Sequence, residues 1–310
     1  MEKKILVAVD NSRIAGCALD YACHASCVIR DLVLVLFHVR PQVSGYLTQE
    51  AKTSHAARQD LDLVTNRQMT SSTTLLEKFK QDLVKRGIPE SAIETVSRPY
   101  GKGVSAEILH YAMEKRLDAI VAGRRGLSGI QAFYLGSVSN NLIQQGKVTP
   151  TWIVGDRVSL KNILFAVDGS ENSLRALDHL AFMLKGAVGT RLSLVHVRPR
   201  LRDFCEIDFN TDEDKTLKER IEKSNKAHID HFYDKARAIL TNAGITDQDY
   251  DIRIRDVLMD VGATIAEEAK DGGYDTIVMG RRGIKGQIFT GSTTQQVLNQ
   301  VTDRAIWIVP

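Results

Sequence analysis

The chain carries two copies of one sequence, and this duplication constrains the fold more than any other feature. ILVAVDNS at 5–12 returns as ILFAVDGS at 163–170, and LVLVLFHVRP at 32–41 as RLSLVHVRP at 191–199, both offset by 158. DAIVAGRRG at 118–126 returns as DTIVMGRRG at 275–283, offset by 157. LGS at 135–137 and WIV at 152–154 return as TGS and WIV, offset by 155. A repeat of this length is a whole domain, and 310 residues suffice for two hydrophobic cores. The boundary falls in GDRVSLKN, 155–162, giving domains 1–157 and 158–310.

Each copy alternates short apolar runs with amphipathic stretches. ILVAVD, LVLVLFHV, IETVSR, DAIVAG and TWIV in the first copy face ILFAVD, RLSLVHV, YDIRIR, DTIVMG and AIWIV in the second. Most are near-continuous apolar runs, as expected of parallel strands buried on both faces. Residues 217–240 place Leu217, Ile221, His228, Phe232, Ala236 and Leu240 near one face of a helix. The order predicts an α/β protein of two tandem, open, doubly wound domains with parallel sheets and right-handed crossovers. Trp152 and Trp307 occupy the same place on the last strand of each copy. Pairing of those two strands would cover two apolar edges, so an intramolecular pseudo-dimer is expected, with room for a homodimer.

Composition narrows the function. A net charge of +3 argues against a nucleic-acid or anionic-membrane partner, and no apolar run approaches the ~20 residues that span a bilayer. MEKKILVAVD enters a strand at once and carries no leader-like core, so a cytoplasmic location is expected. Cys17, Cys23 and Cys27 share one predicted helix and Cys205 stands apart, without CxxC spacing; the expectation is packing and exposure, with no metal site.

The chemistry concentrates in a phrase used twice, GRRGLSGIQAFYLGS at 123–137 and GRRGIKGQIFTGS at 280–292. It leaves a buried strand and enters a helix, at the sheet edge where such folds bind ligands. Gly123 and Gly126 permit tight turning and close approach. Gly136 and Ser137 open a helix whose free amides and dipole favour an anion, and Arg124 and Arg125 add cations. Ser292 with Gln295 also fits a capping box, which needs no ligand. Asp10 and Asp168 end the first strand of each copy, where a carboxylate can bind ribose hydroxyls or cap a helix. His38 and His196 read as strand histidines with satisfied partners. The phrase is neither a Walker A loop nor GxGxxG.

These residues resemble the universal stress protein family, whose nucleotide-binding pattern is G-x2-G-x9-G-[ST]. Gly123, Gly126, Gly136 and Ser137 fit it in full, and VAVD-x-S and the HV ending the second strand also fit. The resemblance covers essentially the whole chain. It implies a five-stranded parallel sheet per domain, of the adenine nucleotide alpha hydrolase-like kind, and binding of ATP, ADP or AMP, with magnesium compatible with ATP. By the resemblance, Ala8 and Asp10 line the adenosine end and Val39 contacts the base. Ala122, Gly123, Arg125 and Gly126 follow the ribose and phosphates, and Gly136, Ser137 and Val138 hold the phosphate tail. The second copy offers Ala166, Asp168, Val197, Met279, Gly280, Arg282, Gly283, Gly291, Ser292 and Thr293. There seven residues separate Gly283 from Gly291 where the pattern has nine, so the second site is expected to differ. The expected function is a stress-response regulator whose nucleotide occupancy tunes conformation or partner binding. No general base or HxGH-like motif stands beside the loop, so the chain is expected not to be an enzyme. A slow ATP hydrolase and an interaction module with vestigial sites are the alternatives.

Overall fold

Continuous apolar runs at the centre of each half become strands with no face left to water. In the first half β1 (Lys3–Ala8) lies between β2 (Leu32–Val39) and β4 (Ala119–Gly123), with β3 (Ile93–Arg98) beyond β2 and β5 (Thr151–Val154) beyond β4. Every pairing in the order β3-β2-β1-β4-β5 is parallel. The computed structural model describes residues 1–124, 135–156, 159–198, 212–257, 260–281 and 291–310. The chain divides into two compact units, Met1–Cys27 with Asp31–Val158, and Ser159–Pro310 with Val28–Arg30.

The second half repeats the plan. Its strands are β6 (Asn162–Val167), β7 (Arg191–Arg198), β8 (Tyr250–Asp256), β9 (Thr276–Gly280) and β10 (Ala305–Val309), ordered β8-β7-β6-β9-β10 and again parallel. Both sheets are the expected ones, with five strands per half among the described residues. Ile5, Leu6 and Val7 in β1 and Ile163, Leu164 and Phe165 in β6 are fully buried. The reversal of strand order beside β1 and β6 opens a crevice at their carboxyl ends, the place where doubly wound sheets take ligands.

Helices cover the sheets. The first half has α1 (Arg13–Val28), a short α2 (Gly45–Glu50), α3 (His55–Lys85), α4 (Val104–Glu114) and α5 (Ser137–Gln145). The second has α6 (Glu171–Leu184), α7 (Asp212–Asn242), α8 (Val261–Asp271) and α9 (Ser292–Gln300). The helix expected over 217–240 is longer at its start. Its core face is carried by Phe232, Ala236 and Leu240, all buried, whereas Leu217 and Ile221 are half-buried and His228 is exposed. The first turns of α7 are highly charged, and a solvated helix end needs no apolar stripe. Among the described residues no helix is long and apolar enough to cross a membrane.

Candidate functional site

At the end of β1 the chain turns through Asp10, Asn11 and Ser12 into α1. Asp10 Oδ1 accepts from the Ser12 amide at 2.9 Å and from the Ser12 hydroxyl. Ser12 Oγ in turn accepts from the Ala15 amide at 3.3 Å. The second half repeats this: Asp168 Oδ1 accepts from Ser170 N at 2.9 Å and from Ser170 Oγ at 2.7 Å, and Ser170 Oγ caps α6 through Ser173 N at 3.1 Å. The serine caps the helix, and the aspartate holds the serine. Each carboxylate thus stands at a fixed place on the carboxyl edge of the central strand.

The opposite wall is the turn from β4 into α5. Arg124 N donates to Val154 O at 2.9 Å, and Gly136 N donates back to Arg124 O at 2.8 Å. The Ser139 hydroxyl, buried, donates to Gly123 O at 2.6 Å. The second half has the same three ties. Arg281 N donates to Val309 O at 2.7 Å, Gly291 N to Arg281 O at 3.0 Å, and Thr294 Oγ1 to Gly280 O at 3.2 Å. The helix therefore starts from the same anchor in both halves, although the intervening phrase is two residues shorter in the second.

One expectation changes here. The capping box at Ser292 and Gln295 does not form: Gly291 is the N-cap and Ser292 the first helical residue, with no side-chain cap. Gly136 likewise caps α5 without a side chain. Among the described residues no N-cap side chain meets the first amides of α5 and α9, which suits an anion. Arg124 and Arg281 are buried, at 4% and 3% exposure. Arg125, Gly126, Arg282 and Gly283 lie outside the described residues. Gly123 has a packing reason of its own. A Cβ there would collide with Ile14 Cγ2 and lie 2.9 Å from Ile14 O.

The remaining expected residues gather along the same edge. Ala8 and Val39 end β1 and β2 and are half-buried, as is Ala166 in β6. Ala122, Val197 and Met279 are buried, so Ala122 and Met279 offer main chain rather than side chain. Ser137 and Ser292 are exposed, and Val138 and Thr293 half-buried, on the first turn of their helices.

Beneath this edge the halves diverge. His38 Nδ1 pairs with Ser72 Oγ at 2.6 Å, and Ser72 Oγ with Ser97 Oγ at 2.8 Å, a hydroxyl chain linking β2, α3 and β3. In the second half Ile229 and Ile254 stand in place of the two serines, and His196 Nδ1 donates to Val167 O at 2.9 Å. Burial holds both imidazoles below their ordinary pKa, against the pull of Asp10 on His38 and of the Val167 carbonyl and Asp168 on His196. Asn11 is exposed, whereas its counterpart Gly169 is buried with φ +80°. His228 Nε2 donates to Gly169 O at 3.0 Å, and a Cβ at Gly169 would lie 3.0 Å from Ile229 Cδ1. Sequence reasoning missed Ser139, Thr294, Ser72, Ser97 and His228. Only the first two left a signal, a hydroxyl residue two places after Gly-Ser in both copies. Among the described residues no cluster of His, Cys, Asp or Glu could hold a metal, and Cys23 and Cys27 are free thiols.

The universal stress protein family model matches residues 1–155 and again 159–303. A universal stress protein of Bacillus subtilis, YxiE, is 30% identical over 145 residues, covering 46% of this chain and 93% of that protein. The crystal structure of a universal stress protein from Archaeoglobus fulgidus superposes with TM-score 0.62 at 19% identity, covering 99% of this chain and 97% of that one. A functionally unknown protein from Pseudomonas aeruginosa PAO1 gives 0.59 at 16% identity, covering 99% and 92%. At those identities the structures report on the fold.

Proposed function

Since the chain belongs to the universal stress protein family in both halves, we propose that it is a cytoplasmic, adenine-nucleotide-binding stress-response regulator. Nucleotide occupancy tunes its conformation or its binding of a partner, and turnover is not its purpose. One observation carries this reading. A glycine-capped helix start, tied by the same three hydrogen bonds in both halves, lies across the crevice from an aspartate fixed at the end of the central strand. Amides at one wall suit phosphate, and a carboxylate at the other suits ribose hydroxyls. Ala8, Asp10, Val39, Gly136, Ser137 and Val138 are the described residues that would hold the nucleotide in the first half, with magnesium accompanying ATP. His38 and His196 support binding over catalysis, because each ring is engaged within its own half.

The test uses the purified full chain with ATP and magnesium, measuring bound nucleotide and released phosphate together. Retained ATP without repeated turnover is the expected result. Sustained phosphate release would make the protein a hydrolase, and absence of binding would leave an interaction module.

A further inference from the structure

The strand at the outer edge of the second sheet is built to pair with itself. Among the described residues β8 is bonded on one side only, to β7. Leu192 N donates to Asp249 O and Val257 N to Arg198 O, so residues 249 and 257 turn their main-chain groups toward β7. Because a strand alternates with period two, Tyr250, Ile252 and Ile254 direct theirs outward. Their side chains also share one face, where Ile252 is 36% and Ile254 52% exposed. The other face carries Asp249, Asp251, Arg253 and Arg255.

An exposed edge is ordinarily protected by charges that repel a second strand. Here the charges are segregated, acids in the first half of DYDIRIR and bases in the second. Antiparallel pairing about Ile252 sets Asp249 against Arg255, Asp251 against Arg253, Tyr250 against Ile254 and Ile252 against itself. Each acid meets a base and each apolar residue meets an apolar one, the pairs that stabilise cross-strand contact. The outward-facing residues become the hydrogen-bonded pairs. The charged residues fall at the non-hydrogen-bonded positions, where side chains approach most closely. Within the chain the two guanidiniums are already held on that face: Glu268 of α8 accepts from Arg253 Nη1 at 3.3 Å and from Arg255 Nε at 2.6 Å, and Asp251 accepts from Arg253 Nε at 2.6 Å. A parallel pairing in register would stack like charges and is disfavoured.

We propose that β8 is a dimerisation edge whose partner is the β8 of a second copy of this chain. The corresponding strand of the first half, IETVSR, has no such symmetry: about Thr95 it would set Glu94 against Val96 and Ile93 against Ser97. Because the pairing joins the same edge of both copies, the contact is isologous and closes as a two-fold dimer without propagating.

Sedimentation across a concentration series of the full chain is expected to show a monomer–dimer equilibrium. Ile252→Lys sets two cations against each other at the axis, and it is expected to raise the dissociation constant at least about tenfold. Ile252 is exposed enough that the fold should survive, which circular dichroism checks. Cross-linking keeps the proposal falsifiable if that variant misfolds. With Cys17, Cys23, Cys27 and Cys205 replaced by serine, Ile252→Cys places two thiols at an antiparallel pair about 5.5 Å apart between Cα atoms, within disulfide range. Mild oxidation is expected to give a disulfide dimer from Ile252→Cys and none from Thr95→Cys. A monomer at every concentration, or a dimer that Ile252→Lys leaves intact and Ile252→Cys does not cross-link, overturns the proposal.

Discussion

Single side chains decide how firmly each candidate site is held. Ser139 is buried and spends its hydroxyl on Gly123 O, tying α5 to the end of β4. Ser139→Ala removes a hydrogen bond worth ~1 kcal/mol and frees the helix start from its strand. The expected outcome is a several-fold loss of ATP affinity with the fold retained, read by calorimetry beside circular dichroism. His179 in α6 shows a different effect. Its ring lies 6.1 Å from that of Trp307, as Tyr21 lies 6.3 Å from Trp152 in the first half. Its Nε2 is shielded from water, and burial lowers its pKa from the ordinary 6.5 to about 4. A histidine whose folded pKa is depressed favours the neutral state. Its contribution is therefore fully present above pH 6.5 and is lost as the pH falls toward 4, up to roughly 3 kcal/mol. Denaturation of the parent between pH 7 and 5 is expected to show a steep loss of stability. His179→Tyr, the residue of the first half, is expected to flatten that slope. An equal slope in both proteins would refute the assignment.

Paired elements show where the copies have exchanged one interaction for another. In the first half the Arg98 guanidinium lies 5.3 Å from the centroid of the Tyr111 ring. In the second, Arg255 and Arg253 both reach Glu268, which is 5% exposed and occupies the place of Tyr111. The arginines keep 39% and 50% of their side-chain exposure, so on loss of the carboxylate they can return to water. Glu268→Ala is therefore expected to cost about 1–2 kcal/mol, less than a fully buried pair would. Glu268→Tyr is expected to recover part of that loss through the stacking used in the first half, and urea denaturation compares the three. The long helices differ in the same way. α3 brings Ser72 beneath the site, whereas α7 brings His228 and Ile229 over the turn after β6, backed by the Lys235–Glu171 pair at 2.9 Å.

For the whole molecule these differences lead us to expect two unequal sites. The helix starts are anchored alike, although the phrase leading to the second is two residues shorter. Its base end is also more covered, since Val197 and Gly169 are buried where Val39 is half-buried and Asn11 exposed. Tight ATP binding is expected in the first half, with a weaker or differently selective site in the second. In calorimetry on the full chain, Gly136→Val is expected to remove most of the ATP binding and Gly291→Val little of it, because a side chain at the helix cap blocks the approach of phosphate. Equal losses from the two variants would show equal sites.

The sequence by itself determined the duplication, both five-strand sheets and the position on the carboxyl edge of those candidate residues that the structure describes. Those follow from apolar runs, glycines and local order, which act over a few residues. The same local reading suggested a capping box at Ser292, which failed on tertiary grounds, and placed a cation at Arg124, which the fold buries. The strand end draws Gly291 rather than Ser292 into the cap. Only the tertiary structure brought Ser72 and Ser97 to His38, His228 to Gly169 and Glu268 to two arginines, because these partners come from elements far apart in the chain. Contacts of that kind depend on which helix face settles on which strand, and hydrophobic periodicity leaves that choice to the packing of the whole domain.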